Sequence, residues 1–380
     1  MCTLRLSLAS YRLPRTLGAD GAFSRLIIAV LGITAGAGFA TFELRLFLHE
    51  VVVGTMAAWP LIVITLYVDD ATLEAAHQSR RVAQAVLAGA TDHMVRHLEG
   101  SLQLEVSLKK SVTVASSPLM ASNVATAARS RALRPVRTAK LLGVSVAGGR
   151  RRSVKHLAVR VNTFRKRIPR IHRLRKARIN TTAVVRAAGT PMLTYGTDVI
   201  GMADSHLRSC RCAVAKAVAP EAGGKQHELI LYTADGASGT LDPAFDAHAL
   251  PLYMWAMAHW HQWLPLQCLH ESIVNAQSKV LDGSTPVWRR VTGPAAAVVA
   301  SAARIGWSFI SGRVACCDDQ STIDFLLDPP VVVVQAVRRS VRRWRLKEIS
   351  KQFPPLVPQA PDVNVAAPHG HLDVTFILVF

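Results

Sequence analysis

The sequence predicts an α+β fold that gives way to a mostly helical C-terminal half. Three observations predict it. Apolar and β-branched segments with short turns fill residues 1–147; amphipathic stretches with helical spacing dominate from residue 150 onward; and a dense cationic run separates the two. With 45 Lys and Arg against 25 Asp and Glu, the chain carries a formal charge of +20, so a polyanionic partner is expected.

Residues 1–31 read as a short helix and an irregular connection, with a turn at Gly18, Asp20 and Gly21. Gly32–Gly38 holds three glycines in seven residues, a backbone that another group can approach closely, and a helix follows from Phe39. Val51–Val68 is an uncharged run of 18 residues. That meets the lower limit for a spanning helix, ~17–25 residues, so insertion into a membrane is one competing reading. Pro60 interrupts the run and Leu61–Val68 is rich in β-branched residues. The run therefore reads as a helix end, a break and a buried strand.

Asp69 and Asp70 close that strand, and Ala71–Ala75 returns as the second arm of a hairpin. Ser79 is placed to cap a helix in which Val82, Val86, Ala90, Met94 and Leu98 recur every four residues before Gly100. Leu102–Ala115 alternates in part and carries Lys109 and Lys110; Lys140–Val146 reads as one more short strand.

Composition then shifts. Arg150–Arg178 contains thirteen Lys and Arg and no acid. Leu157, Val161, Phe164, Ile168, Ile171 and Leu174 give it an apolar stripe, so it reads as an amphipathic helix with a basic outer face and a kink at Pro169. Uncompensated cations repel one another, so this face is expected to hold a polyanion. Residues 180–219 read as further helices, capped by Asn180 and by Asp204 or Ser205. Residues 220–239 read as a Gly-rich connection and residues 244–312 as helical and aromatic. A second basic helix follows Pro330, with Val334, Val337, Val341 and Trp344 as its stripe and Arg338, Arg339, Arg342, Arg343 and Arg345 as its charged face. Phe353–Pro368, with five prolines, reads as an extended linker opening a disordered tail, 353–380. The expected division is thus 1–147, 148–219, 220–352 and 353–380. Six cysteines without framework spacing, and Arg5 and Arg12 breaking the first apolar residues, point to a reducing compartment, nucleus or cytoplasm, rather than secretion.

Adjacent carboxylates at a hairpin tip repel unless a divalent cation neutralises them, and oxygen-only ligation suits Mg²⁺ (or Mn²⁺) with substrate phosphates completing the shell. A surface turn is the alternative for such a pair in isolation. Here Tyr67-Val68-Asp69-Asp70 behind a strand resembles the catalytic hairpin of reverse transcriptases, and flanking segments resemble that family's palm in order. Ala9-Ser10-Tyr11-Arg12 resembles the segment before the template-positioning loop, and Gly32-Ile33-Thr34-Ala35-Gly36 the loop itself. Val106–Ser111 resembles the lysine-bearing motif, and Lys140-Leu141-Leu142-Gly143-Val144 the primer-grip turn. Thr190–Gly196 is similar to a segment that follows the thumb in non-LTR retrotransposon enzymes.

The resemblance implies a partial polymerase palm, an antiparallel sheet with packed helices, followed by a helical thumb. It implies RNA-directed DNA polymerase activity, with an RNA template, a DNA primer and dNTPs as partners. Asp69 and Asp70 would be the metal ligands, and Lys110 would act near the triphosphate. Tyr67 and Val68 would lie under the primer terminus and nucleotide; Gly32, Ala35 and Gly36 would shape the template loop, and Leu142 and Gly143 the primer-grip turn. The basic run, with Arg150, Arg151, Arg152, Lys155, Arg160, Arg165, Lys166, Arg167, Arg170 and Arg173, falls where the family has its thumb. Two departures are visible. Ala35 stands where the family has glutamine, and the strand with the third catalytic aspartate would precede Ala9, so the chain reads as an N-terminally truncated, C-terminal part of the enzyme. A non-catalytic nucleic-acid-binding remnant is the alternative, and a basic membrane-associated protein a further one.

His259, His261, Cys268 and His270 match no standard zinc spacing and read as part of a packed helix. Cys316-Cys317-Asp318-Asp319 reads as a polar turn, since Ser311–Ala315 does not look like a buried strand. There is no phosphate-binding Walker loop, Ser-His-Asp set or dinucleotide fingerprint.

Overall fold

A computed structural model describes residues 18–19, 22–23, 25, 40–68, 70–107, 109–129, 133–148, 152–219, 226–235, 239–283 and 286–352. The fold is mixed α and β, with small sheets and a helical C-terminal half. The chain divides into two units, Met1–Leu142 with Val146–Ser153, and Gly143–Ser145 with Val154–Phe380.

In the first unit, β1 (Gly18–Ala19) and β2 (Ala22–Phe23) form a minimal antiparallel pair. Helix α1 (Ala40–Ala58) ends where Pro60 cannot continue the backbone ladder, and the chain enters β3 (Ile62–Tyr67). The expected helix, break and strand are all present. β3 pairs antiparallel with β4 (Asp70–Ala75), from Ile62↔Ala75 to Tyr67↔Asp70.

One expectation fails: β3 is not a buried strand. Of its residues only Ile62 is buried, while Val63 is 60% and Tyr67 59% exposed. The apolar run is continuous because its proximal end packs on helices, not because both faces are covered.

Helix α2 (Arg80–Arg96) follows, with Ala88, Ala90, Thr91 and Met94 buried. Ser79 occupies the cap position but its side chain makes no cap bond. A Cβ on Gly89 would lie 2.2 Å from the Trp59 indole, so only glycine lets that ring lie flat on the helix. The partly alternating stretch 102–115 is not a long strand: only β5 (Val112–Thr113) forms, parallel to β6 (Arg134–Pro135). Helix α3 (Pro118–Ala127) lies between them, its first turn capped by Ser117 Oγ accepting from Met120 N.

Lys140–Val146 is two strands rather than one. β7 (Thr138–Leu141) and β8 (Val144–Ala147) form a hairpin, because Leu142 and Gly143 both adopt positive φ, 46° and 86°. Two consecutive left-handed residues reverse the chain with the twist a hairpin needs. Among the described residues, the sheets of this half are all two-stranded.

The second unit is built on α4 (Lys155–Lys176). Leu157, Val161, Phe164, Ile168 and Ile171 are buried as their spacing requires, whereas Leu174 is 37% exposed. Pro169 lies inside the helix, which continues through it. Short helices α5 (Thr181–Val184), α6 (Thr190–Thr194) and α7 (Thr197–Ile200) lead to α8 (Asp204–Val218). Asn180 caps α5 through Ala183 N, as expected; α8 is preceded by Ala203 at its cap position, with Asp204 in its first turn instead.

The expected connection at 220–239 contains helix α9 (His227–Asp235). Helices α10 (Pro243–Trp260), α11 (Leu266–Val280), α12 (Val287–Arg290) and α13 (Pro294–Arg304) follow. A three-stranded antiparallel sheet then interrupts the expected helical region: β9 (Ser308–Phe309), β10 (Val314–Cys316) and β11 (Thr322–Asp324), with β10 in the middle. The segment before Cys317 is therefore a strand after all, with Ala315 fully buried. Helix α14 (Pro330–Gln352) packs on α10 and closes the core. The proline-rich tail lies outside the described residues, and no helix among those described is long and apolar enough to cross a membrane.

Candidate nucleic-acid interface and acidic hairpin

The β3–β4 hairpin brings Tyr67, Val68 and Asp70 to one exposed tip. Tyr67 and Asp70 are direct cross-strand partners, and Val68 turns the chain at φ 55°. Asp69 lies between them in sequence but outside the described residues, as do Gly32, Ala35, Gly36, Arg150 and Arg151. Lys110 is exposed in the turn before β5, where its backbone N–H donates to Ser107 O at 3.2 Å. Leu142 and Gly143 form the β7–β8 turn. Among the described residues no three His, Cys, Asp or Glu side chains converge as a metal site.

Helix α4 presents the clearest electrostatic feature. Its apolar stripe is buried, so by the 100° step of a helix the opposite face carries Lys155, Val159, Asn162, Lys166, Arg170 and Arg173. Lys166, Arg170 and Arg173 are exposed, and among the described residues no side chain pairs with them. Three unpaired cations within two turns repel, and a row of phosphates relieves that repulsion. Arg173, Arg175 and Lys176 also sit in the last turn, where the helix dipole favours cations.

Several of the predicted phosphate ligands make contacts within the protein. Arg160 donates to Tyr195 O at 2.6 Å and to Gly143 O at 2.5 Å, and its guanidinium lies 4.7 Å over the Tyr195 ring. Arg165 donates to Ser209 Oγ at 2.6 Å, and Arg167 approaches Met192 Sδ at 3.6 Å. Arg152 is half-buried, and that burial lowers its guanidinium to about 10. Lys155 is exposed. The long basic run thus sorts into cations that fasten α4 to its neighbours and a narrower row that faces outward.

The second basic helix is not a charged outer face. Arg345 is 1% exposed and reaches Asp242 at 3.1 Å and Asp235 at 3.6 Å. Arg211, also buried, holds Asp242 through three bonds of 2.8–3.1 Å and Glu228 at 2.5 Å. Asp242 additionally caps α10 by accepting from Ala244 N. Burial would raise its carboxyl, but Arg211 and Arg345 outweigh that and hold it below the ordinary carboxylate range. Arg343 binds Asp318 and Asp319 at 2.6 and 3.0 Å, which explains the second Asp-Asp pair as an ion-pair anchor. Of the five arginines read as its charge, only Arg339 and Arg342 are exposed. A signal was present: Arg345 continues the four-residue spacing of Val337, Val341 and Ile349, the buried line of the helix.

His259, of the histidine and cysteine group, is 1% exposed and donates Nδ1–H to Trp255 O within its own helix. Cys268 is exposed, and His270 accepts from Gly312 N. Searches of the chain against protein-family models, curated proteins and solved structures return no match.

Proposed function

We propose that this chain is the palm-and-thumb portion of an RNA-directed DNA polymerase of the non-LTR retrotransposon kind, and that it holds an RNA–DNA primer–template on the outer face of α4. The observation that carries the reading is the row Lys166, Arg170 and Arg173, exposed, unpaired among the described residues and fixed on a helix whose other face is buried. Such contacts grip the phosphate backbone and position the duplex without reading its sequence. The Tyr67–Asp70 tip supports the catalytic half of the reading, because the Tyr67↔Asp70 pair ends an exposed ribbon where Asp70 is open to a bulky substrate.

Asp70 is the carboxylate that the described residues supply at this tip. Asp69, its sequence neighbour, lies outside the described residues. The second reading is a non-catalytic nucleic-acid binder of the same descent, which the outward row of α4 supports equally well. Primer extension with Mg²⁺, dNTPs and an RNA template separates the two. Incorporation that Asp69→Asn abolishes supports the polymerase. Hybrid binding with no Asp69-dependent incorporation leaves the binder.

A further inference from the structure

Gly143, Val144 and Ser145 belong to the helical unit, although their chain neighbours on both sides belong to the other. The reason is a dense set of contacts on three consecutive residues. The two ends of the Arg160 guanidinium are occupied by two backbone carbonyls, those of Gly143 and Tyr195, while its flat face covers the Tyr195 ring. Ser145 Oγ lies 2.8 Å from His156 Nδ1 and accepts from His156 N at 3.3 Å.

Two glycines make the fit possible. At Gly143, with φ +86°, a Cβ would come within 3.0 Å of Arg160 Nη2 and 3.1 Å of Tyr195 Cε1. At Gly196, with φ +82°, it would meet Val144 Cγ2 at 2.8 Å. An arginine kept for phosphate has a free fork; this fork is filled.

We propose that Arg160 is a positioning residue, not a phosphate ligand: with Tyr195 it latches the Gly143 turn into the shape that meets the end of a bound primer. The proposal rests on the polymerase reading of that turn. It assigns the Tyr195-Gly196 dipeptide a job as well, the floor on which the turn sits.

The test uses the full chain and a short RNA–DNA hybrid whose recessed primer ends in 2-aminopurine, with a blunt hybrid for comparison. Affinity for each is measured across a salt series, and fluorescence reports the environment of the primer terminus. The latch predicts that Arg160→Gln loses at least about tenfold of the preference for the recessed end, the scale of one charge-assisted hydrogen bond. Its salt slope stays that of wild type. Gly143→Ala, which leaves every charge in place, loses the same preference and the same fluorescence change, and stands as the test if Arg160→Gln does not fold. Arg170→Ala does the reverse, flattening the slope by ~0.9 with the preference intact.

An Arg160→Gln slope that falls by ~0.9 with the end preference retained would make Arg160 a phosphate ligand and overturn the latch alone. Wild-type chain that binds hybrid without distinguishing the recessed end overturns the primer reading of the turn, and the latch with it. Wild-type chain that does not bind hybrid overturns the proposed function itself.

Discussion

Replacing Asp242 with asparagine isolates the charge at the centre of the helical unit. The side chain is fully buried, and Asn keeps its shape and an oxygen that can still cap α10 through Ala244 N. What disappears is the anion shared by Arg211 and Arg345. Arg211 would keep Glu228, and Arg345 would keep Asp235 at 3.6 Å. Both cations are nearly inaccessible to water, so the loss falls in the range for breaking a buried pair, about 3–5 kcal/mol. With a urea dependence of about 2 kcal/mol/M, the midpoint drops by roughly 2 M.

Tryptophan emission is a suitable probe. Trp255, Trp260, Trp263, Trp288, Trp307 and Trp344 all belong to this unit, against Trp59 in the other. The pH dependence follows from the depressed carboxyl. A group lowered in the folded state contributes stability above its unfolded value, ~3.9, and loses it as pH falls through the folded one. Wild type should therefore show a steep acid limb below about pH 4 that Asp242→Asn flattens. An unfolding free energy within about 0.5 kcal/mol of wild type at neutral pH would refute the view that this network fixes α9, α10 and α14 together.

His248 should make a separate acid-sensitive contribution. It is fully buried, donates Nδ1–H to Ala244 O at 2.5 Å, and burial with Arg304 nearby drives it down to about 3. Because the unfolded imidazole takes a proton near pH 6.5 and the folded one does not, stability should fall by about 1.4 kcal/mol per pH unit below that point. A neutral replacement such as His248→Gln should remove that slope in urea midpoints between pH 6 and pH 4. Gly196→Ala combines a positive φ with a Cβ 2.8 Å from Val144, so it should lower the thermal midpoint by a few degrees, at a cost of ~1–2 kcal/mol. Asp69→Asn should abolish any incorporation in primer extension while leaving hybrid affinity within about twofold, since the substitution removes no cation that could contact phosphate.

Local structure was largely legible in the residues. Pro60 announces the helix break, the four-residue apolar spacing announces α2 and α4, and Asn180 announces α5. What hydropathy could not separate was a strand covered on both faces from one anchored at one end, which is why β3 was expected to be buried and is not. Hydropathy hides the Leu142–Gly143 reversal, because a leucine rarely takes positive φ and the segment reads as one strand, whereas the resemblance names a turn at those two residues.

Charge was harder still. A cation's role depends on tertiary partners distant in sequence. Arg160 meets Tyr195, Arg211 meets Asp242, and Arg345 meets residues more than a hundred positions earlier. A count of Lys and Arg therefore overstates the outward-facing set on α4, and takes a buried line on α14 for a basic face.

The central claim is that the outward row of α4 grips a duplex backbone. Its most direct test is the salt dependence of RNA–DNA hybrid affinity for wild type and for the chain with Lys166, Arg170 and Arg173 all replaced by alanine. Three lost phosphate contacts predict a log–log slope shallower by about 2.7, with weaker binding at low salt. Superimposable slopes, or no hybrid binding by the wild-type chain, would contradict the account.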